Sequence, residues 1–292
     1  NLVSKKVSAR LESELGYNWF DRIKYKELAD DELRQLRDEA AGNGMTFFAT
    51  PHDTWAVDFL DRELNIPFFK VGSGESNNPE FLRAVGGRGK PVLISFGLQT
   101  DEEILEAVSI LRESGTREIG VFHCVSQYPT EPGNANLARI AHLRDLLGLP
   151  IGISDHTRGF HVPLAAVALG ACMVEKHLTF DKTDPRSVDN AGALLPEELT
   201  AMTAQIRDLE AALHPLTEEQ RLASVAKGRE WAGSAIVAVR DLPVGTVIAA
   251  GDLAYKRPGK GGLPPNRAGD VIGKRLTAAV PEDEQILLEH LD

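Results

Sequence analysis

The chain has 292 residues, 42% hydrophobic and 26% charged, which is enough to bury more than one average core and is ordinary for a globular protein in water. A formal net charge of −11 argues against a nucleic-acid partner, because phosphate backbones are held by clustered Lys and Arg. No apolar run approaches the roughly 18 residues that span a bilayer. Two cysteines, Cys124 and Cys172, without a Cys-x-x-Cys pair suit a reducing compartment, so a soluble, cytoplasmic chain with no membrane partner is expected.

The opening Asn1–Arg10 has neither an apolar signal core nor a small-residue cleavage site. Asp30–Asn43 places Leu33, Leu36, Ala40 and Ala41 at helical spacing, and Met45–Thr50 follows as a short apolar run that predicts a strand. The order repeats with a helix near Thr54–Leu64 and a strand near Phe68–Gly72. Four further strands are predicted at Val92–Ser95, Ile119–His123, Ile151–Ser154 and Met173–His177. Helices at Glu80–Val85, Glu102–Ser114, Leu137–Leu147 and Pro163–Gly170 separate them. Continuous apolar strands alternating with amphipathic helices imply an α/β fold with a parallel sheet covered on both faces.

Polar residues decide between an open sheet and a barrel. Thr50-Pro51, Ser73-Gly74-Glu75, Ser95, His123 and Ser154-Asp155-His156 all fall at or just beyond strand C-terminal ends, which converge on one site in a (β/α)8 TIM-type barrel. About six βα units are two short of that closure. The expectation is therefore an N-terminally truncated barrel over residues 1–213, with two units belonging before Asn1. The last barrel helix is placed at Pro196–Leu213. Residues 214–228 are polar and aperiodic and read as a linker. From 229 to 292, short β-like pieces at Ser234–Val239 and Thr246–Ala249 alternate with Gly and Pro turns, predicting a small β-rich domain.

Several strand-end residues are candidates for chemistry. His123 and His156 end consecutive strands, and two neutral imidazoles side by side could ligate one divalent metal, although histidines bonded to backbone or water would read the same. Alternation puts Glu175 and His177 on one face and Lys176 on the other, as an acid–imidazole pair or a structural ion pair; Asp155 beside His156 carries the same two readings. Lys70, Ser73, Ser95 and Thr50 supply one cation and three hydroxyls, the mixture a phosphate needs, and Gly72 and Gly74 let a ligand approach the backbone. Met45, Met173 and Met202 read as core fillers. His52, His142, His161, His214 and His290 read as surface or packing residues. Cys124 and His123, adjacent on a strand, point to opposite faces and form no thiolate–imidazole pair.

Read in order, Phe48-Ala49-Thr50-Pro51, Lys70-Val71-Gly72-Ser73-Gly74-Glu75 with Asn77-Asn78, His123-Cys124 with Tyr128-Pro129, Gly152-Ile153-Ser154-Asp155-His156 and Glu175-Lys176-His177 resemble the sialic acid synthase family. Lys256-Arg257-Pro258-Gly259 and Gly273-Lys274 resemble the antifreeze-like C-terminal domain of the same enzymes. The resemblance implies condensation of phosphoenolpyruvate with N-acetylmannosamine, or a related amino-sugar aldehyde such as those of legionaminic and pseudaminic acid synthases, and water. It also implies a domain-swapped homodimer and a Mn2+ or Mg2+ ion on His123 and His156. By the same resemblance Lys70, Ser73, Ser95 and Thr50 would cradle phosphoenolpyruvate, with Ser154 and Asp155 at the substrate. Glu75, Glu175 and His177 would join the catalytic set, and Arg257 would reach the partner's sugar. A non-catalytic binding module on the same fold is the other reading. The sequence departs from the family at Phe96 and Leu98, at Asp189-Asn190, and in lacking the family's early Ala-Glu-Ile-Gly, Asn-His and Lys-Phe-Gln segments.

Overall fold

A computed structural model describes residues 8, 12, 18–24 and 26–292. The chain divides into two compact units, Asn1–Leu213 and His214–Asp292. The first includes α1 (Trp19–Lys24), α2 (Asp30–Gly42) and α3 (Thr54–Arg62). It continues as β1 (Phe69–Val71), α4 (Pro79–Gly86), β2 (Val92–Phe96), α5 (Asp101–Ser114), β3 (Ile119–Cys124), α6 (Ala138–Leu147), β4 (Ile151–Asp155), α7 (His161–Ala168), β5 (Val174–Lys176) and α8 (Pro196–Leu213). The helices start where the side chains dictate. Asp53 accepts from the Ala56 amide, Asn78 from Phe81, and Thr100 forms a capping box with Glu103.

The five strands form one parallel sheet in the order β1-β2-β3-β4-β5. One face carries Val92, Ile94, Ile119, Val121, Ile151 and Ile153 into a buried cluster with Phe81, Leu82, Ile104, Leu111, Ile140 and Leu143 of the helices. The register fixes what lies on the other face. Ser95 pairs with Phe122, Cys124 with Ser154, and Ser154 with Glu175, while Lys70 pairs with Leu93, two residues before Ser95. Paired residues share a face, so Lys70, Ser95, Cys124, Ser154 and Glu175 all point the same way.

That sheet is strongly curled. Laid flat, β1 and β5 would stand about 19 Å apart, four strand spacings of roughly 4.8 Å. Lys70 Nζ of β1 nevertheless lies 3.4 Å from Glu175 Oε2 of β5, a span that two side chains could not bridge across a flat sheet. The strands form an arc of a barrel with the polar face inside.

Three expectations are corrected. Met45–Thr50 forms no strand, and the arc has five described strands against six predicted. Apolarity alone cannot supply a ladder partner, and β1 pairs only with β2 among the described residues. Phe47 and Ala49 still pack on the core, whereas Met45 is exposed and fills none of it. Second, the predicted linker contains α9 (Glu218–Ser224) and α10 (Ala226–Ala232); Thr217 and Gln220 form a capping box whose Thr-x-x-Gln signature stands in the sequence. Third, Thr246–Ala249 joins no sheet and contributes one bridge, Val247 to Arg275. The β-sheet of the second unit pairs β6 (Ala235–Ala238) antiparallel with β7 (Leu253–Lys256), over a core that includes Ile236, Leu242, Ile248, Leu276 and Ile286.

Candidate functional site

The C-terminal ends of the curled strands surround an open depression of about 700 Å³. Thr50, His52, Lys70, Gly72, Ser73, Gly74, Glu75, Ser95, Leu98, Cys124, Ser126, Tyr128, Ser154, His156, Glu175 and His177 line it. Strand alternation explains the membership. Residues on the inner face reach the mouth, and those one position away face the helices.

Lys70 is buried and is the hub of the floor. Its Nζ donates to Ser95 Oγ at 2.8 Å and faces Glu175 Oε2 at 3.4 Å, while Ser154 Oγ donates to Glu175 Oε1 at 2.6 Å. The cation is thus oriented by three neighbouring strand ends. Ser73 lies on the loop after β1, where its Oγ accepts from the Gly97 amide at 3.0 Å and its carbonyl from Gln99 Nε2 at 2.8 Å. Gly97 leaves the room: a Cβ there would fall 2.5 Å from Ser126 Oγ and 3.0 Å from both Cys124 Sγ and Ser73 Oγ.

His156 and His177 face each other at the other side, with ring centroids 5.1 Å apart. Tyr128 stands edge-on to His156 at 4.5 Å, and Cys124 Sγ lies 3.9 Å from His156 Nδ1. Burial, with His177 alongside, pushes His156 down to about 4, so its imidazole is neutral near pH 7 and offers a lone pair. Burial likewise pushes the Cys124 thiol up, which keeps it a thiol rather than a nucleophilic thiolate. Asp189 Oδ1 approaches His177 Nε2 at 3.9 Å and accepts from Ser187 Oγ at 2.7 Å through its other oxygen.

Two of the strand-end residues singled out in the sequence are placed elsewhere. His123 points away from the mouth into the layer between sheet and helices, where its Nε2–H donates to the Ala135 carbonyl at 2.8 Å. That bond takes up Nε2, and His123 is not among the residues that line the mouth with His156. The reason is parity: Cys124 occupies the inner face, so its neighbour is turned outward. Asp155 is also outward. It forms a buried ion pair with Lys176 at 2.6 Å, both side chains 2% exposed, and accepts from the amide and hydroxyl of Thr157. Thr50, Lys70, Ser73, Glu75, Ser95, Ser154, His156, Glu175 and His177 are brought together. Arg257 lies exposed just beyond β7 in the second unit.

Sequence reasoning missed His52, set aside as a surface residue. Its Nδ1 lies 3.1 Å from Glu75 Oε1 at the rim of the mouth. Tyr128 and Ser126 were also given no role, although both lie a few residues past the end of β3, where barrel loops build sites.

The first unit matches the model of the NeuB family over residues 3–217, and residues 233–292 match the SAF domain. The chain is 34% identical to human N-acetylneuraminate-9-phosphate synthase across 95% of its length and 76% of that protein's. It is 36% identical to the N,N'-diacetyllegionaminic acid synthase of Campylobacter jejuni, with 83% of this chain and 72% of the relative covered. Among solved structures, the N-acetylneuraminic acid synthetase of Leptospira borgpetersenii, crystallised with citrate, aligns with a TM-score of 0.65 and 31% identity. That alignment covers 73% of this chain and 76% of the other.

Proposed function

The chain belongs to the NeuB family, and on that premise we propose that its barrel mouth joins phosphoenolpyruvate to an N-acetylated amino-sugar aldehyde and water, releasing phosphate and a 3-deoxy-2-keto acid. The observation that carries this reading is the convergence of one buried lysine, three hydroxyl groups and an imidazole pair on a single mouth. Lys70, with Ser73, Ser95 and Thr50, would hold the phosphate and carboxylate of phosphoenolpyruvate. These groups give charge-assisted hydrogen bonds in a site already oriented by Glu175 and Ser154. The carbon–carbon bond forms between the enol methylene and the aldehyde carbon. Water then adds at the former enol carbon, and the phosphate leaves with its bridging oxygen as the keto group forms.

The donor set also fits a divalent cation, Mn2+ or Mg2+, held by His156 and His177 in place of the pair His123 and His156 suggested by the sequence. Among the described residues no group of three or more His, Cys, Asp or Glu is placed to hold a metal ion, so the proposed ion would rest on the two imidazoles. When bound, it would supply Lewis-acid polarisation of the aldehyde. The chain's own groups would do the rest: Glu75 moves a proton or anchors a hydroxyl, and Tyr128 walls the sugar side beside His156. Among the described residues no helix is long and apolar enough to cross a membrane. The proposal includes a cytoplasmic homodimer whose Arg257 reaches the partner's sugar. The relatives' names span more than one nine-carbon sugar acid, so the sugar is proposed as a class.

The test is phosphate release from phosphoenolpyruvate with N-acetylmannosamine or a diacetamido sugar present. Release should require a sugar and fall by at least about tenfold in Lys70→Met, the worth of a hydrogen bond to a charged group. Undiminished turnover in that variant would remove Lys70 from the site and the reading with it.

A further inference from the structure

Among the mouth's own described side chains, carboxylates outnumber permanent cations, whatever charge a bound ion would add. Lys70 is its one permanent cation among the described residues, whereas Glu75 and Glu175 are both carboxylates. Phosphoenolpyruvate brings several negative charges of its own. A carboxylate left uncompensated near it repels it at close range, so a cation beside Glu75 favours binding. The residue that can redress the balance is His52.

His52 follows Pro51 and precedes Asp53, whose side chain caps α3, so its backbone is held at a helix entrance. Its Nδ1 lies 3.1 Å from Glu75 Oε1. Glu75's other oxygen is close to Gly72, where a Cβ would stand 3.1 Å from Oε2. The glycine leaves that oxygen the room it occupies, and His52 holds the other. Glu75 is mostly covered, with 14% of its side chain exposed, while the His52 imidazole is 60% exposed.

We infer that His52 is a positioning and specificity residue for the anionic substrate: as an imidazolium it fixes the Glu75 carboxylate and adds to Lys70 a second positively charged side chain at the mouth. This deepens the proposed function and rests on the mouth being the phosphoenolpyruvate site. The charged groups facing His52 are Glu75, Asp53 and Lys70. The hydrogen bond to Glu75 raises its pKa most, Asp53 adds to the rise, and burial and Lys70 oppose it. The proton is therefore retained above the ordinary value of 6.5 and is lost as pH rises further. Affinity for the anion should fall with it.

Calorimetric binding of phosphoenolpyruvate from about pH 7 to 9 tests this, since the ligand's own phosphate, with a second pKa near 6, is then fully ionised. Wild type should bind more weakly as pH rises. His52→Gln, which can still donate to Glu75 but carries no charge, should bind about fivefold more weakly at pH 7 and show a flat profile, the worth of an exposed pair. His52→Lys should restore the pH 7 affinity and remain flat over the range. Because His52 is largely exposed and uses no core contact, these variants should unfold at the wild-type temperature. Equal affinities and identical pH profiles in wild type and His52→Gln would overturn the inference while leaving the site reading intact. A wild type that takes up no phosphoenolpyruvate would overturn the site reading, and the role of His52 with it.

Discussion

Asp155→Ala separates a structural carboxylate from one that touches substrate. In the wild type the Asp155–Lys176 pair is 2% exposed at each side chain and bonded at 2.6 Å, with Thr157 donating two further hydrogen bonds to the acid. Removing the acid leaves the Lys176 ammonium buried behind β5 with the Thr157 carbonyl as its remaining partner. A buried charge stripped of its partner costs about 3–5 kcal/mol, more than the pair itself contributes, because desolvation is no longer offset. For a unit of this size each kcal/mol lowers the midpoint by roughly 2–4 °C, so a fall of about 10 °C is expected. Thermal unfolding followed by far-ultraviolet circular dichroism reads it. The double variant Asp155→Leu with Lys176→Met, which removes both charges and keeps the volume apolar, should recover most of the loss. An Asp155→Ala protein that melts like wild type but binds no substrate would refute the assignment and return Asp155 to the site.

Gly97→Ala should cost about 1–3 kcal/mol by overpacking and should weaken phosphoenolpyruvate binding, because the new methyl displaces Ser73 Oγ and Ser126 Oγ; calorimetry on the folded variant checks it. In Mn2+ titrations of metal-stripped protein, His177→Ala should lose at least about tenfold in affinity, whereas His123→Ala should leave affinity unchanged, since His123 faces the helices. Burial holds the His123 pKa below 6.5. The unfolded chain therefore takes up a proton there that the folded chain resists, and stability falls as pH drops below 6.5. His123→Gln should show a shallower decline in urea midpoint over that acid range.

The helices from α2 to α8 were legible because each carries its own signal, as Thr100 and Glu103 announce α5 and Pro196 opens α8, whereas α9 and α10 fell in a segment read as a linker. The inward set Lys70, Ser95, Ser154 and Glu175 was legible as polar positions at strand ends. What failed was parity. The alternation that rejected a His123–Cys124 pair also turns His123 away from the mouth, and His156 and His177, two residues beyond Ser154 and Glu175, share the inner face. Applied throughout, that rule selects His177. The missing strand at Met45–Thr50 has a different cause, since pairing is a long-range property that an apolar run does not encode. His52 escaped notice because its partner Glu75 lies in another loop.

The central claim is that one mouth makes a carbon–carbon bond and releases phosphate in the same turnover. Mass spectrometry of the products, with phosphate measured in parallel, tests it most directly. A nine-carbon 3-deoxy-2-keto acid is expected, formed one for one with phosphate from phosphoenolpyruvate and an N-acetylated six-carbon amino sugar, with both products lost together in Lys70→Met and His177→Ala. Phosphate released with pyruvate as the only organic product, the sugar left unconsumed, would contradict it.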